Sequence, residues 1–156
     1  MENCNVVTLV GCVSQKEGTL EKPVRLPAKN LYKGTLFKAH MRYAKEINKS
    51  CDQDIYIISA LYGLIPQDKL ITTYDCTLNN MKKDDRKNWA NQVFNEIQEN
   101  IPKNKEIVIL AGSKYYEFLL PLLEDAGYNV KLPEELKGLP IGKRLGKLKQ
   151  LLGGTI

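Results

Sequence analysis

Histidine occurs once in this chain, at His40, and that scarcity removes Ser-His-Asp and Cys-His nucleophilic catalysis unless His40 itself takes part. There is no Gly-x-Ser-x-Gly elbow and no Walker glycine-lysine loop, so the hydrolase and P-loop chemistries that depend on them have no sequence support. Cys4, Cys12, Cys51 and Cys76 are irregularly spaced and form no Cys-x-x-Cys pair. A closed zinc site would need nearly all of these residues together with His40, so no metal is expected and the thiols read as reduced and mostly buried. No cofactor is implied either. The apolar runs are far too short to span a bilayer, and the start Met1-Glu2-Asn3-Cys4 lacks the basic flank and apolar stretch of a secretory signal. The expectation is a cytoplasmic protein with no membrane partner.

The 156 residues are 43% hydrophobic and 26% charged, an ordinary globular composition that fits one domain over 1–156. Three apolar runs, Val6–Val10, Ile55–Ile58 and Ile107–Leu110, each end in small or polar residues. Burial on both faces is the simplest cause of such β-branched runs, so they read as parallel strands covered by helices on either side. Tyr128 to Leu132 adds a short, proline-bounded edge strand. Leu36, Phe37, His40, Met41, Ala44 and Ile47 recur at helical spacing behind a Thr35 cap, and Trp89, Ala90, Val93, Phe94, Ile97 and Ile101 mark a second helix. Asn80 is a candidate cap for that helix, and Asp84 and Asp85 suit its positive end. Ser113 can cap a third helix that stops at Gly127, with Pro121 kinking or shortening it, and Leu145, Leu148, Leu151 and Leu152 suggest a closing helix. The fold class is α/β: three layers, α/β/α, with a four-strand, mainly parallel sheet. Gly18 to Lys29 and Leu64 to Asn80 show no sustained period and read as two long loops over the carboxyl edge of that sheet.

In open sheets of this kind ligands bind beyond the carboxyl ends of the strands. Gly11-Cys12-x-Ser14-x-Lys16 leaves the first strand with a thiol, a hydroxyl and an ammonium, a turn that can hold an anion or a base edge or can simply end a strand. Ser59-Ala60-Leu61-Tyr62-Gly63 places a hydroxyl at the second strand tip, a glycine for a tight turn, and in Tyr62 an aromatic able to stack on a planar ligand or to cap the core. Tyr74-Asp75 follows in the second loop, and Asp75 is the carboxylate best placed for general acid or base work, whereas Asp68, Asp84 and Asp85 suit solvated or capping roles. Gly112-Ser113-Lys114-Tyr115 opens a helix whose free N–H groups suit an anion, though Ser113 serves equally as a plain cap. The formal charge of +5 is concentrated at Lys137, Lys143, Arg144, Lys147 and Lys149, which can meet phosphates or form a solvated helix face.

Taken together, Gly11-Cys12-x-Ser14-x-Lys16, Pro27-Ala28-x-x-Leu31-Tyr32-x-Gly34-x-Leu36-Phe37, Ile58-Ser59-Ala60-x-Tyr62-Gly63-Leu64-Ile65, Tyr74-Asp75-x-Thr77-Leu78 and Ala111-Gly112-x-x-Tyr115 resemble a small uncharacterised bacterial α/β domain family over about four fifths of the chain. That family is distantly similar to the YaaA peroxide-stress proteins and to the uracil-DNA-glycosylase-like domain of archaeosine synthase. Thr73 stands where those relatives typically carry a proline before tyrosine, YaaA's accessory DNA-binding region has no counterpart, and no His-Pro-Ser glycosylase segment is present. The resemblance implies an α/β domain concerned with nucleic acids or modified nucleobases, with these segments, Tyr32 among them, gathered at one sheet edge.

The expected function is therefore an enzyme acting on a nucleobase or nucleoside moiety, free or within nucleic acid, by N-glycosidic or base-modifying chemistry. Tyr62 or Tyr74 would stack the base, Asp75 would act as acid or base, and Lys16 with the Gly112 and Ser113 amides would hold an anion, beside a candidate thiol at Cys12. Alternatives are a non-catalytic nucleic-acid-binding module and a small-molecule-binding stress protein that uses the same pocket.

Overall fold

The computed structural model describes residues 4–132, apart from Ser14 and Ser50, and four helical positions farther on, Lys143, Gly146, Lys147 and Gln150. The leucines of the expected closing helix and most of the basic cluster lie outside the described residues.

Continuous apolar sequence produces the central strands. β1 (Val6–Gly11) lies between β3 (Ile55–Ser59) and β6 (Glu106–Leu110), and is parallel to both. β7 (Asn129–Lys131) extends the parallel set beside β6. The four expected parallel strands are thus present, but the sheet has five, in the order β4-β3-β1-β6-β7. The extra strand, β4 (Gly63–Pro66), runs antiparallel to β3 and falls at the start of a segment expected to be loop. Its hairpin turns at Gly63, whose φ of +75° is open to glycine but strained for other residues. A Cβ there would also lie 2.3 Å from Glu96 Oε1.

The two expected long loops pair with each other. β2 (Arg25–Pro27) and β5 (Leu70–Thr72) form a separate antiparallel ribbon, in which Leu26 faces Ile71 in register. Ile71 is buried, so the ribbon is anchored to the core and is not a free flap.

Alternation along β1 sends successive side chains to opposite faces. Thr8 points toward α2 (Thr35–Asn48), where its hydroxyl bonds Asn48 Oδ1, and Gly11, of opposite parity, meets Tyr115 of α4 (Ser113–Tyr116). Helices therefore cover both faces. α2 buries Phe37, Ala39, His40, Met41 and Ala44, close to the stripe expected from its periodicity. On the other face α3 (Lys83–Asn100) buries Trp89, Ala90, Val93 and Ile97 and packs against α5 (Leu119–Asp125). Arg86 fastens its first turn, donating from Nη1 to the Met81 carbonyl and from Nε to Glu117 at 2.8 Å each. A one-turn helix, α1 (Ala28–Leu31), connects β2 to the segment before α2.

Three caps differ from expectation. Gly34, Lys82 and Gly112 occupy the cap positions of α2, α3 and α4, and none of these caps makes a side-chain hydrogen bond. Thr35 and Ser113 become the first helical residues, and Asn80 ends a short 3-10 turn, Leu78–Asn80. The helix expected after Ser113 breaks into α4 and α5, with Pro121 in the first turn of the second piece, where its missing N–H costs little.

The expectation of four free thiols is also corrected: Cys4 and Cys51 form a disulfide, leaving Cys12 and Cys76 free. The pairing follows from register. Thr8 faces Ile55 across β1 and β3, so Cys4 and Cys51, each four residues earlier, come abreast with Cα atoms 5.7 Å apart. Among the described residues no helix is long and apolar enough to cross a membrane, and no group of three or more His, Cys, Asp or Glu is placed to hold a metal ion.

Candidate functional site

The order of strands reverses at β1: the chain passes from β1 to β3 on one side and returns to β6 on the other. This is the switch point of an open α/β sheet, where loops leaving neighbouring strands part and open a crevice. Registers Gly11↔Ile58 and Val10↔Leu110 bring the three carboxyl ends level. Glycine at position 11 permits the closeness of the third strand's end, since a Cβ would stand 2.8 Å from Ala111 Cβ.

Just past β1, Cys12 is buried and ties three elements together. Its backbone N–H donates to the Ile58 carbonyl at 3.1 Å, its sulfur accepts the Ala60 N–H at 3.3 Å, and Tyr115 Oη lies 3.2 Å from the same sulfur. Tyr115 gives its own proton to the Cys12 carbonyl at 2.8 Å, so the thiol proton is the one directed to the phenol. With every capacity engaged, Cys12 holds the strand ends in place, which is a positioning role and not that of an exposed nucleophile.

Ser59 performs the same service at the tip of β3. Its Oγ accepts the N–H groups of Leu61 at 3.2 Å and Tyr62 at 3.0 Å and bonds Tyr74 Oη at 2.8 Å. Tyr74 Oη in turn bonds Tyr32 Oη at 2.6 Å. From the far side Trp89 Nε1 donates to the Ser59 carbonyl at 2.8 Å and its ring meets Tyr115 edge to face at 5.7 Å. Sequence reasoning placed Trp89 in the core stripe and missed this second role. The signal was its polar N–H on an otherwise apolar face, which needs an acceptor when buried.

The more open side of this network carries Lys16, Tyr62, Asp75 and Cys76. Lys16 is positioned by pairing between loops: it bridges Tyr32, the Glu17 N–H donates to the Leu31 carbonyl and the Lys33 N–H donates to the Gln15 carbonyl, both at 2.8 Å. Its ammonium sits 4.2 Å from the centre of the Tyr74 ring and 5.8 Å from that of Tyr32. Burial lowers the Lys16 pKa, opposed by the charges of Cys12, Asp75 and Cys76, which raise it. Half-buried Tyr62 stands edge to face with Tyr74 at 5.4 Å. Asp75 is exposed, and Cys76, a neighbour that sequence reasoning overlooked, has its pKa raised chiefly by burial.

Of the expected site residues, Cys12, Lys16, Tyr32, Ser59, Tyr62, Tyr74 and Tyr115 form one connected set, and Asp75 acts on it through its charge. Gly63 belongs to the hairpin beside Glu96 and serves the turn. Gly112 and Ser113 are exposed at the opening of a helix of only four residues, too short to supply a strong dipole. Ser14 lies outside the described residues.

Burial is the leading cause of raised pKa values at Tyr32, Tyr74 and Tyr115, so these phenols remain neutral donors near pH 7. Because the folded state keeps protons that the unfolded chain releases near pH 10, stability from this set is present below about pH 10 and falls as pH rises above it. Ultraviolet titration at 295 nm should therefore show these three phenols ionising only together with alkaline unfolding. Full ionisation of all eight tyrosines in a still-folded protein would contradict that burial.

No curated protein matches the sequence. A family profile matches residues 7–150, nearly the whole chain, and the chain therefore belongs to the Family of unknown function (DUF6884).

Proposed function

We propose that this protein binds a nucleobase or nucleoside moiety over the surface formed by Tyr62, Tyr74 and Lys16, and acts on it with Asp75 as general acid or base. The observation that carries the reading is the placement of the Lys16 ammonium 4.2 Å over the Tyr74 ring, with half-buried Tyr62 set against the same ring. Aromatic faces bind planar heterocycles, and a partly desolvated ammonium beside them favours electron-rich edges or an attached phosphate. Asp75 is exposed, follows Tyr74 in the chain and acts on Lys16 through its charge, which suits it to acid or base work beside the stacking surface. The distant resemblance of the sequence motifs to nucleobase-handling families points the same way as an analogy of sequence alone, and fold does not fix function.

Calorimetric titration of the full chain with nucleosides tests it. Saturable binding is expected, only weakly dependent on salt, and Tyr62→Ala should weaken it by about 1–3 kcal/mol, the range for loss of one stacking contact. Binding of oligonucleotides alone, falling steeply with salt, would favour the non-catalytic nucleic-acid-binding module. No binding of either kind would remove the nucleobase reading.

A further inference from the structure

We propose that the outer face of α2 is a track for the sugar-phosphate backbone of a single nucleic-acid strand, with one end at the edge of the candidate site. The strand would carry the base that the reading above assigns to Tyr62 and Tyr74, and in that part the inference rests on it.

The spacing of cations along α2 carries the inference. Lys38, Arg42, Lys45 and Lys49 are all exposed, Lys49 being the residue that closes the helix. At about 100° per residue the four fall within roughly 60° of arc and form one straight ridge on the solvent side. Successive cations stand about 4.5–6 Å apart along the axis, from the rise of about 1.5 Å per residue. Consecutive phosphates of one strand are at least about 3.4 Å apart, so long side chains at this spacing can each meet a phosphate. Contacts of that kind hold a strand by its charge without reading its sequence.

Fold stability does not call for this ridge. Among the described residues none of the four cations belongs to an ion pair, although exposed Glu46 follows Arg42 by one helical turn. Like charges three and four residues apart on a helix repel. Lys45 and Lys49 suit the negative end of the helix dipole, but Lys38 lies near the positive end, where the first turn holds no acidic residue to offset it. The opposite layer differs: α3 exposes Asp84 and Asp85 between Lys83 and Lys87, and α5 ends in exposed Glu124 and Asp125. Position links the ridge to the site. The N–H of Lys33, two residues before α2, donates to the Gln15 carbonyl beside Lys16, and at the other end Asn48 Nδ2 donates to the Val6 carbonyl at 3.2 Å. α2 thus starts at the carboxyl edge of the sheet and ends at the amino edge, and a strand on the ridge reaches the site from the Lys38 end.

The test is fluorescence anisotropy of a labelled single-stranded oligothymidylate with the full chain over a salt series. Four phosphate contacts predict a slope of log affinity against log salt of about −2.8 or steeper for wild type. Combining Lys38→Gln, Arg42→Gln, Lys45→Gln and Lys49→Gln should flatten that slope by about 2.8 and weaken binding at low salt by at least about tenfold. A control combining Lys82→Gln, Lys83→Gln, Lys87→Gln and Lys103→Gln removes the same charge from α3 and the turns at its ends, and should keep the wild-type slope. Thermal melts should show the ridge variant as stable as wild type or more so, since the positions are exposed and glutamine relieves the repulsion. No binding by wild type, equal flattening in both variants, or binding to anionic phospholipid vesicles in place of the oligonucleotide would overturn the track and leave the nucleobase reading standing. Nucleosides should bind wild type and the ridge variant alike. Failure of nucleosides to bind, with the oligonucleotide result in place, would overturn the nucleobase reading and leave the track standing.

Discussion

Ser59→Ala should cost about 2–4 kcal/mol of folding stability, a large loss for the removal of one oxygen atom. The side chain is fully buried, and its Oγ satisfies two backbone N–H groups while feeding a proton to Tyr74. Each partly buried donor left without a partner costs roughly 1–3 kcal/mol, more than the net worth of the bond it lost. The turn Ala60–Tyr62 would lose its internal anchor and Tyr62 would lose its fixed place beside Tyr74. Urea unfolding checks the expectation: the midpoint should fall with the slope unchanged, because the surface exposed on unfolding is the same. A loss below about 0.5 kcal/mol, typical of surface positions, would show that Ser59 does not hold the turn.

For Asp75→Asn the expected pattern is the opposite, with little change in stability and a large change in activity. Asp75 is exposed, so the substitution removes no core contact and should shift folding free energy by no more than roughly 0.5 kcal/mol. Asparagine preserves shape and can neither take nor return the proton of an acid or base. Turnover of the bound nucleoside, followed by chromatography of the released or altered base, should fall by about 10²-fold or more. A marked drop in melting temperature would make Asp75 a turn residue, and unchanged turnover in a stable variant would remove it from the chemistry.

The parallel core was legible because burial on both faces leaves a continuous apolar run, as in Ile55–Ile58 and Ile107–Leu110. β4 was not, since Leu64-Ile65 is too brief to outweigh the glycine and proline around it, and β2 and β5 are three residues each, with Pro27 closing the first. Their pairing is a long-range contact with no local signature. The Cys4–Cys51 disulfide depends in the same way on the register of β1 against β3, which no single-strand pattern contains. Strand-tip residues such as Cys12 and Ser59 could be gathered from the sequence because parallel strands bring their carboxyl ends together. Lys16 over Tyr74 could not, because its place is set by backbone pairing between loops, around the Lys16–Tyr32 bridge. Cap positions shifted because glycine at Gly34 and Gly112 took the terminal place beside the expected Thr35 and Ser113.

Ligand binding at the carboxyl ends of β1 and β3, over Tyr62, Tyr74 and Lys16, underlies the proposed function. Amide chemical-shift mapping of isotope-labelled protein during titration with unlabelled nucleoside tests it most directly. Saturable shifts are expected, confined to residues around Lys16, Tyr62, Asp75 and Cys76, with β7 and α5 unmoved. Shifts centred on β7, α5 or the opposite end of the sheet would contradict it.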